Sequence, residues 1–127
     1  MSVTAFYAGL LGLWLMVLSV RVIQGRRKGF HLGDGGDAGM LRLMRGHANF
    51  AEYTPMILVL LGIAELQGLS VALVHLIGGS LLLGRLLHGY AFSFTDNFPF
   101  GRLVGTVLTF TSLIVASVAL LWLSLGA

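Results

Sequence analysis

The chain has no cysteine, two prolines and only thirteen charged side chains in 127 residues. Each scarcity removes a class of protein. Without Cys there is no disulfide framework, no zinc–thiolate centre and no cysteine nucleophile. Soluble domains carry roughly 25% charged residues; with 10% here, a water-facing surface would be largely apolar. Acids are scarcer than bases, five against eight Lys and Arg. The resulting pI near 10.0 rests on few groups. No extended basic stripe interleaved with aromatics accompanies it, so nothing points to a nucleic-acid partner.

What is present is apolar: 57% of the residues, with a mean hydropathy of +0.92. That is the composition of a protein dissolved in a bilayer. At about 20 residues per crossing, this length admits at most four or five spans in one domain and no large water-exposed catalytic domain.

Met1 to Val20 is a run of twenty uncharged residues, followed by Arg21, Arg26, Arg27 and Lys28. A secretory signal places its positive charge before the apolar run, so this segment is expected to be a retained anchor, spanning about residues 2–24. Gly33-Asp34-Gly35-Gly36-Asp37-Ala38 has G-x-G-x-x-A spacing, but no strand precedes it and its two acids would repel a pyrophosphate. It reads as a loop, with Asp37 capping the next helix. The second span covers about residues 38–67 and contains Pro55, where a kink is expected. After the short turn at Gln67-Gly68-Leu69, the third span covers about residues 70–92. A turn with Asp96, Asn97 and Pro99 leads to Arg102 and then 25 uncharged residues, Leu103 to Ala127, giving a fourth span over about residues 102–126. The sequence predicts an all-α integral membrane protein, a four-helix transmembrane bundle filling residues 1–127 as a single domain. Nearly all Lys and Arg lie in or beside the first and third connections. By the positive-inside rule those connections face the cytoplasm.

The first half of the second span is anomalous. At about 100° per residue, Arg42, Arg45, Asn49, Glu52 and Tyr53 fall within roughly 100° of one another, and His47 points elsewhere, towards packing or an interface. On the third helix Arg85, His88 and Phe92 also share a face. An Arg45–Glu52 ion pair is the structural reading of this stripe. Against it stands the excess of charge: three arginines at membrane depth, Arg42, Arg45 and Arg85, face one carboxylate, a set suited to an anionic guest. Arg102 reads equally as an interfacial anchor or as a site residue, Arg21 as a snorkelling anchor, and Arg26, Arg27 and Lys28 as topology determinants. His75 stands alone as a helix contact, and no ligand spacing for a metal is present. Gly101, Gly105, Thr109, Ser112 and Ala116 form a stripe of small residues suited to close helix approach.

The run Arg42-Leu43-Met44-Arg45-Gly46-His47-Ala48-Asn49-Phe50-Ala51-Glu52-Tyr53-Thr54-Pro55 resembles the second-helix signature of the MAPEG family, the membrane-associated proteins in eicosanoid and glutathione metabolism. The core of the match is R-x-x-x-N-x-x-E-Y; Arg85-Leu86-Leu87-His88 and Arg102 extend it over essentially the whole chain, in wording nearest to bacterial members. The resemblance implies a homotrimer binding glutathione, as co-substrate, at each subunit interface near the cytoplasmic membrane surface. It assigns Arg45 to a carboxylate, Asn49 to the peptide, Glu52 to the amine and Tyr53 to a further hydrogen bond, with Arg26, Arg85 and His88 as supplementary contacts. Arg102 is the residue it implies for stabilising the thiolate, which attacks a hydrophobic electrophile drawn from the lipid. Phe92 stands where the leukotriene-forming and prostaglandin-E-forming relatives carry Tyr, so no hydroxyl-dependent step is expected there.

The expected function is thus a bacterial inner-membrane glutathione transferase, with peroxidase activity as a second outlet, its site facing the cytoplasm. The alternatives are a small proton-coupled multidrug-type transporter, which an arginine-rich site for cationic drugs disfavours, and a catalytically inactive membrane scaffold of the same fold.

Overall fold

The computed structural model describes residues 2–29 and 32–126. Met1 and Ala127, the outer limits of the two uncharged terminal runs, lie outside the described residues. Four helices follow one another: α1 (Ser2–Arg26), α2 (Ala38–Leu66), α3 (Val71–Ser93) and α4 (Pro99–Ser124). Their lengths of 25, 29, 23 and 26 residues correspond to about 35–43 Å at 1.5 Å per residue, more than the hydrocarbon core of about 30 Å. All four are long and apolar enough to cross a membrane.

Local chemistry sets the boundaries. Asp37 accepts a hydrogen bond from the Met40 amide at 2.7 Å and opens α2. At its other end Gly68 takes φ +92°, with Gly68 N–H bonded to Glu65 O at 3.1 Å and Leu69 N–H to Ala64 O at 2.9 Å. This Schellman arrangement stops α2, and the Ser70 hydroxyl, accepting from Leu73 N–H at 3.4 Å, starts α3 at once. The fourth helix begins earlier than its uncharged run suggests. Pro99 occupies the first turn, where its missing N–H costs nothing, so α4 starts at Pro99 and Arg102 follows within it rather than opening it. The chain continues helical through Pro55, which sits on the exposed side of α2.

α2 and α3 form the centre of the bundle. Each packs against both α1 and α4, while α1 and α4 do not meet among the described residues. One apolar cluster, Leu11, Leu18, Phe50, Ile57 and Leu81, joins α1, α2 and α3; a second, Leu61, Val74, Ile77 and Ala116, joins α2, α3 and α4 nearer the opposite end. Outward-facing positions are also apolar, including Leu13, Met16, Leu121 and Trp122, as lipid requires. At the end opposite the basic loops, both Glu65 carboxylate oxygens accept backbone N–H groups from the first turn of α1, Val3 at 3.1 Å and Thr4 at 2.9 Å. A carboxylate on α2 thereby caps a neighbouring helix.

The closest packing is between α3 and α4. Gly101, Gly105, Thr109, Ser112 and Ala116 are the buried residues of α4, the stripe read from the sequence. At Gly105 a methyl group would stand 2.7 Å from the Gly84 carbonyl oxygen and 2.8 Å from the His88 nitrogen. Both obstacles are backbone, so only helix separation relieves the clash. We expect Gly105→Ala to cost about 1–3 kcal/mol by overpacking. Gly12→Ala, where nothing lies within 4 Å, should be neutral or slightly stabilising. Unfolding of the two variants in mixed micelles distinguishes them, and equal stability would remove the close-approach argument.

Candidate functional site

The basic end of the bundle is organised around the C-terminus of α3. The last carbonyls of a helix have no partner within it and carry its negative pole. Here two arginines from other helices meet them. Arg21 of α1 donates from Nε and Nη2 to the Ser93 carbonyl at 3.0 and 2.9 Å, with its guanidinium 4.8 Å above the Phe94 ring. Arg42 of α2 donates to the Ala91 carbonyl at 3.0 Å and to the carbonyls of Thr95 and Asp96. Arg21 is therefore more than a snorkelling anchor, and Arg42 faces backbone carbonyls rather than the rest of the polar stripe. A cleft of about 260 Å³ lies between these elements, bordered by Arg21, Lys28, Arg42 and Phe94. Beside it a smaller hollow of about 130 Å³ is bordered by Arg42, Phe92, Asn97 and Arg102.

Deeper in the bundle Arg85 is wholly buried, with 0% of its surface exposed. Its Nη1 donates to Asn49 Oδ1 at 2.7 Å and lies 3.5 Å from Thr109 Oγ1, while Nη2 is 3.4 Å from His88 Nδ1. The Phe50 ring lies 5.5 Å from the guanidinium. None of these partners is an acid. The Thr109 hydroxyl donates to Gly105 O at 2.7 Å, leaving its lone pairs for Arg85. One side chain thus links α2, α3 and α4.

From this centre the contacts run outward. His88, buried, stacks on Phe92 with ring centroids 4.6 Å apart, and the Arg102 guanidinium lies 4.9 Å from the same ring. Asn49, Arg85, His88, Phe92 and Arg102 form one connected chain of contacts. Tyr53 is half-buried beside Phe110 of α4 at 5.2 Å. Arg45 and Glu52 stay outside this chain. Both are exposed at the margin of the α2 face, and no ion pair joins them among the described residues. Arg26 is half-buried in the last turn of α1.

Three further side-chain contacts join helices. His47 Nε2 is 3.1 Å from the Ser19 hydroxyl, linking α2 to α1, and the Tyr7 hydroxyl is 3.0 Å from His75 Nδ1, linking α1 to α3. Trp14 Nε1 donates to the Arg85 carbonyl at 3.0 Å. Among the described residues no group of three or more His, Asp or Glu is arranged to hold a metal ion. Sequence reasoning did not single out Thr109 as a polar partner. Its signal was there, the one β-branched hydroxyl in a small-residue stripe that packs against an arginine-bearing helix.

Four apolar helices with a polar, arginine-rich centre towards their basic end define a multi-pass membrane protein built around a recessed polar site. The model of the MAPEG family matches residues 4–122, and the chain belongs to that family. It is similar to Inner membrane protein YecN of Escherichia coli (strain K12), 40% identical over 91 residues that cover 71% of this chain and 70% of that protein. The protein of the same name from Escherichia coli O6:H1 gives the same figures.

The carbonyl contacts of Arg21 generate a prediction. Hydrogen bonds from a charged donor contribute about 1.5–3 kcal/mol, so Arg21→Met should destabilise the bundle by roughly that amount and speed amide exchange in residues 93–98. Unchanged exchange would reduce Arg21 to an interfacial anchor.

Proposed function

We propose that the protein is a glutathione-dependent transferase that conjugates hydrophobic electrophiles, working as a homotrimer with its sites between subunits. Family membership supports this reading, and one observation carries it. Along R-x-x-x-N-x-x-E-Y, the structure turns Asn49 and Tyr53 inward and leaves Arg45 and Glu52 exposed. Glu52 lies fourteen residues into α2, about 20 Å along it. A carboxylate facing hydrocarbon there is costly. A neighbouring subunit that covers this margin removes the cost and encloses a polar chamber between the two chains.

Glutathione suits that chamber. It brings two carboxylates, an ammonium group, two peptide links and a thiol. Arg45 clamps a carboxylate, Glu52 holds the ammonium group, Asn49 donates to the peptide and Tyr53 adds a hydrogen bond. Arg26 and His88 lie at the same end of the bundle as supplementary contacts. Arg102, held over Phe92 at the mouth of the site, stabilises the thiolate. An adjacent cation lowers a thiol pKa below its usual value of about 8.5. The thiol proton leaves to water, the sulfur forms a bond to an electrophilic carbon, and the electron pair passes to the leaving group or the adjacent acceptor. With a lipid hydroperoxide in place of the electrophile, two glutathiones are oxidised to the disulfide as the peroxide becomes alcohol and water. The bilayer concentrates the apolar co-substrate. The basic loops support a site on the cytoplasmic side, and the Escherichia coli relatives, named as inner membrane proteins, support the inner membrane as its location.

Purified protein in detergent should bind glutathione saturably and conjugate a generic electrophile, and cross-linking should stop at a trimer. Arg45→Ala and Glu52→Ala should each weaken glutathione binding by about tenfold or more. Arg102→Ala should leave binding nearly intact, lower kcat, and move the rise of rate with pH to higher pH, because the bound thiol loses its neighbouring cation. Absence of saturable glutathione binding would overturn the transferase reading. Cross-linking that ends at a dimer would overturn the proposed assembly.

A further inference from the structure

The burial of Arg85 separates it from the arginines that meet a ligand. With 0% of its surface exposed, it touches nothing outside the subunit, yet it grips two residues nearer the surface, Asn49, half-buried, and His88, 4% exposed. A guanidinium only donates. The Asn49 atom it meets at 2.7 Å is therefore the carbonyl oxygen, which fixes the amide orientation and turns Nδ2 away from Arg85. By the same logic His88 Nδ1, at 3.4 Å, accepts, so the imidazole carries its proton on Nε2.

Both donors are unused. Among the described residues, the side-chain polar atoms that are buried and without a partner are Thr4 Oγ1, Thr54 Oγ1, Arg85 Nε and Ser93 Oγ. Asn49 Nδ2 and His88 Nε2 have no acceptor among the described residues either, and neither nitrogen is fully enclosed. Asn49 stands one turn from Arg45 and less than one turn from Glu52 on α2, and His88 stacks on the ring that holds Arg102.

We propose that Arg85 is a positioning residue that sets the polarity of the site: by occupying the acceptor atoms of Asn49 and His88 it commits both to donate. The ligand group seated between them is then an acceptor, a peptide carbonyl or a carboxylate, and a group that must itself donate is rejected. This rests on the glutathione reading above and deepens it, replacing a ligand contact by Arg85 with control of two other contacts.

The test combines glutathione kinetics with thermal unfolding of Asn49→Ala, Asn49→Asp, Arg85→Met and the Asn49→Ala/Arg85→Met double variant. Arg85→Met removes a buried charge but leaves Asn49 Oδ1 and His88 Nδ1 without their donor, so a lowered Tm is expected with it. It should raise KM for glutathione by about tenfold, the worth of a fixed hydrogen bond to a charged or polar ligand group, with a much smaller change in kcat. In the Asn49→Ala background that increment should shrink, because Arg85 acts through Asn49. The same increment in both backgrounds, or an unchanged KM, would overturn the proposal.

Asn49→Asp decides the matter independently if Arg85→Met fails to fold. It keeps an acceptor for Arg85 and supplies the missing counter-charge, so Tm should stand at or above that of the wild type while KM rises as the donor is lost. A wild-type KM in Asn49→Asp overturns the donor role. A Tm lowered as far as in Asn49→Ala overturns the Arg85–Asn49 grip. If the wild type shows no saturable glutathione binding, the transferase reading and the ligand half of this proposal fall together. The order of Tm values then still supports or overturns the grip itself.

Discussion

Arg85 carries a positive charge into the interior of a bundle that lipid surrounds, and its polar partners are an amide, a hydroxyl and an imidazole. A buried charge without a carboxylate depends on hydrogen bonds to its donors, and here both Nη atoms have partners while Nε has none. That demand constrains three helices at once. Asn49 must face inward from α2, Thr109 must face inward from α4, and His88 must sit one turn along α3. The register of α2 and α4 against α3 follows from these contacts as much as from the apolar clusters, because hydrocarbon side chains facing lipid give no hydrophobic drive to choose one helix rotation over another.

The same arrangement explains why α4 needs its small residues. Thr109 comes within reach of Arg85 because Gly84 and Gly105 let the α3 and α4 backbones approach closely. A larger side chain at either position would part the helices and withdraw the hydroxyl. Packing and polar satisfaction are therefore one problem here, and the glycine stripe and the buried arginine are two sides of its solution. At the basic end Arg21 and Arg42 solve a separate problem, the unpaired carbonyls of α3, and in doing so tie the α3–α4 connection to α1 and α2.

This division of labour sorts the arginines. Three of them stabilise the subunit: Arg85 through side chains, Arg21 and Arg42 through backbone carbonyls. Arg45, exposed, and Arg102, over Phe92, take part in neither. The excess of positive charge over Glu52, read from the sequence as wholly available to an anion, is partly committed to the fold. Of the three arginines set against Glu52, Arg45 alone remains, and Arg102 at the start of α4 is a further cation at that end.

The four spans and their order were legible because a hydrocarbon core of about 30 Å demands long apolar runs. The caps at Asp37 and Ser70 follow local chemistry, and the small-residue face of α4 was readable from its period. The start of α4 was read three residues late because the count of uncharged residues began after Arg102, whereas Pro99 is itself a first-turn residue. Periodicity also placed Arg45, Asn49, Glu52 and Tyr53 on one face. It did not say which edge of that face another helix covers, since helical angle fixes a side chain's direction only relative to its own axis. Tertiary packing supplied the second axis. It buried Arg85, half-buried Asn49 and left Arg45 and Glu52 outside, so residues equivalent in the sequence as polar groups in a membrane helix became, by position alone, a buried charge, an amide held by it and two exposed groups of opposite sign.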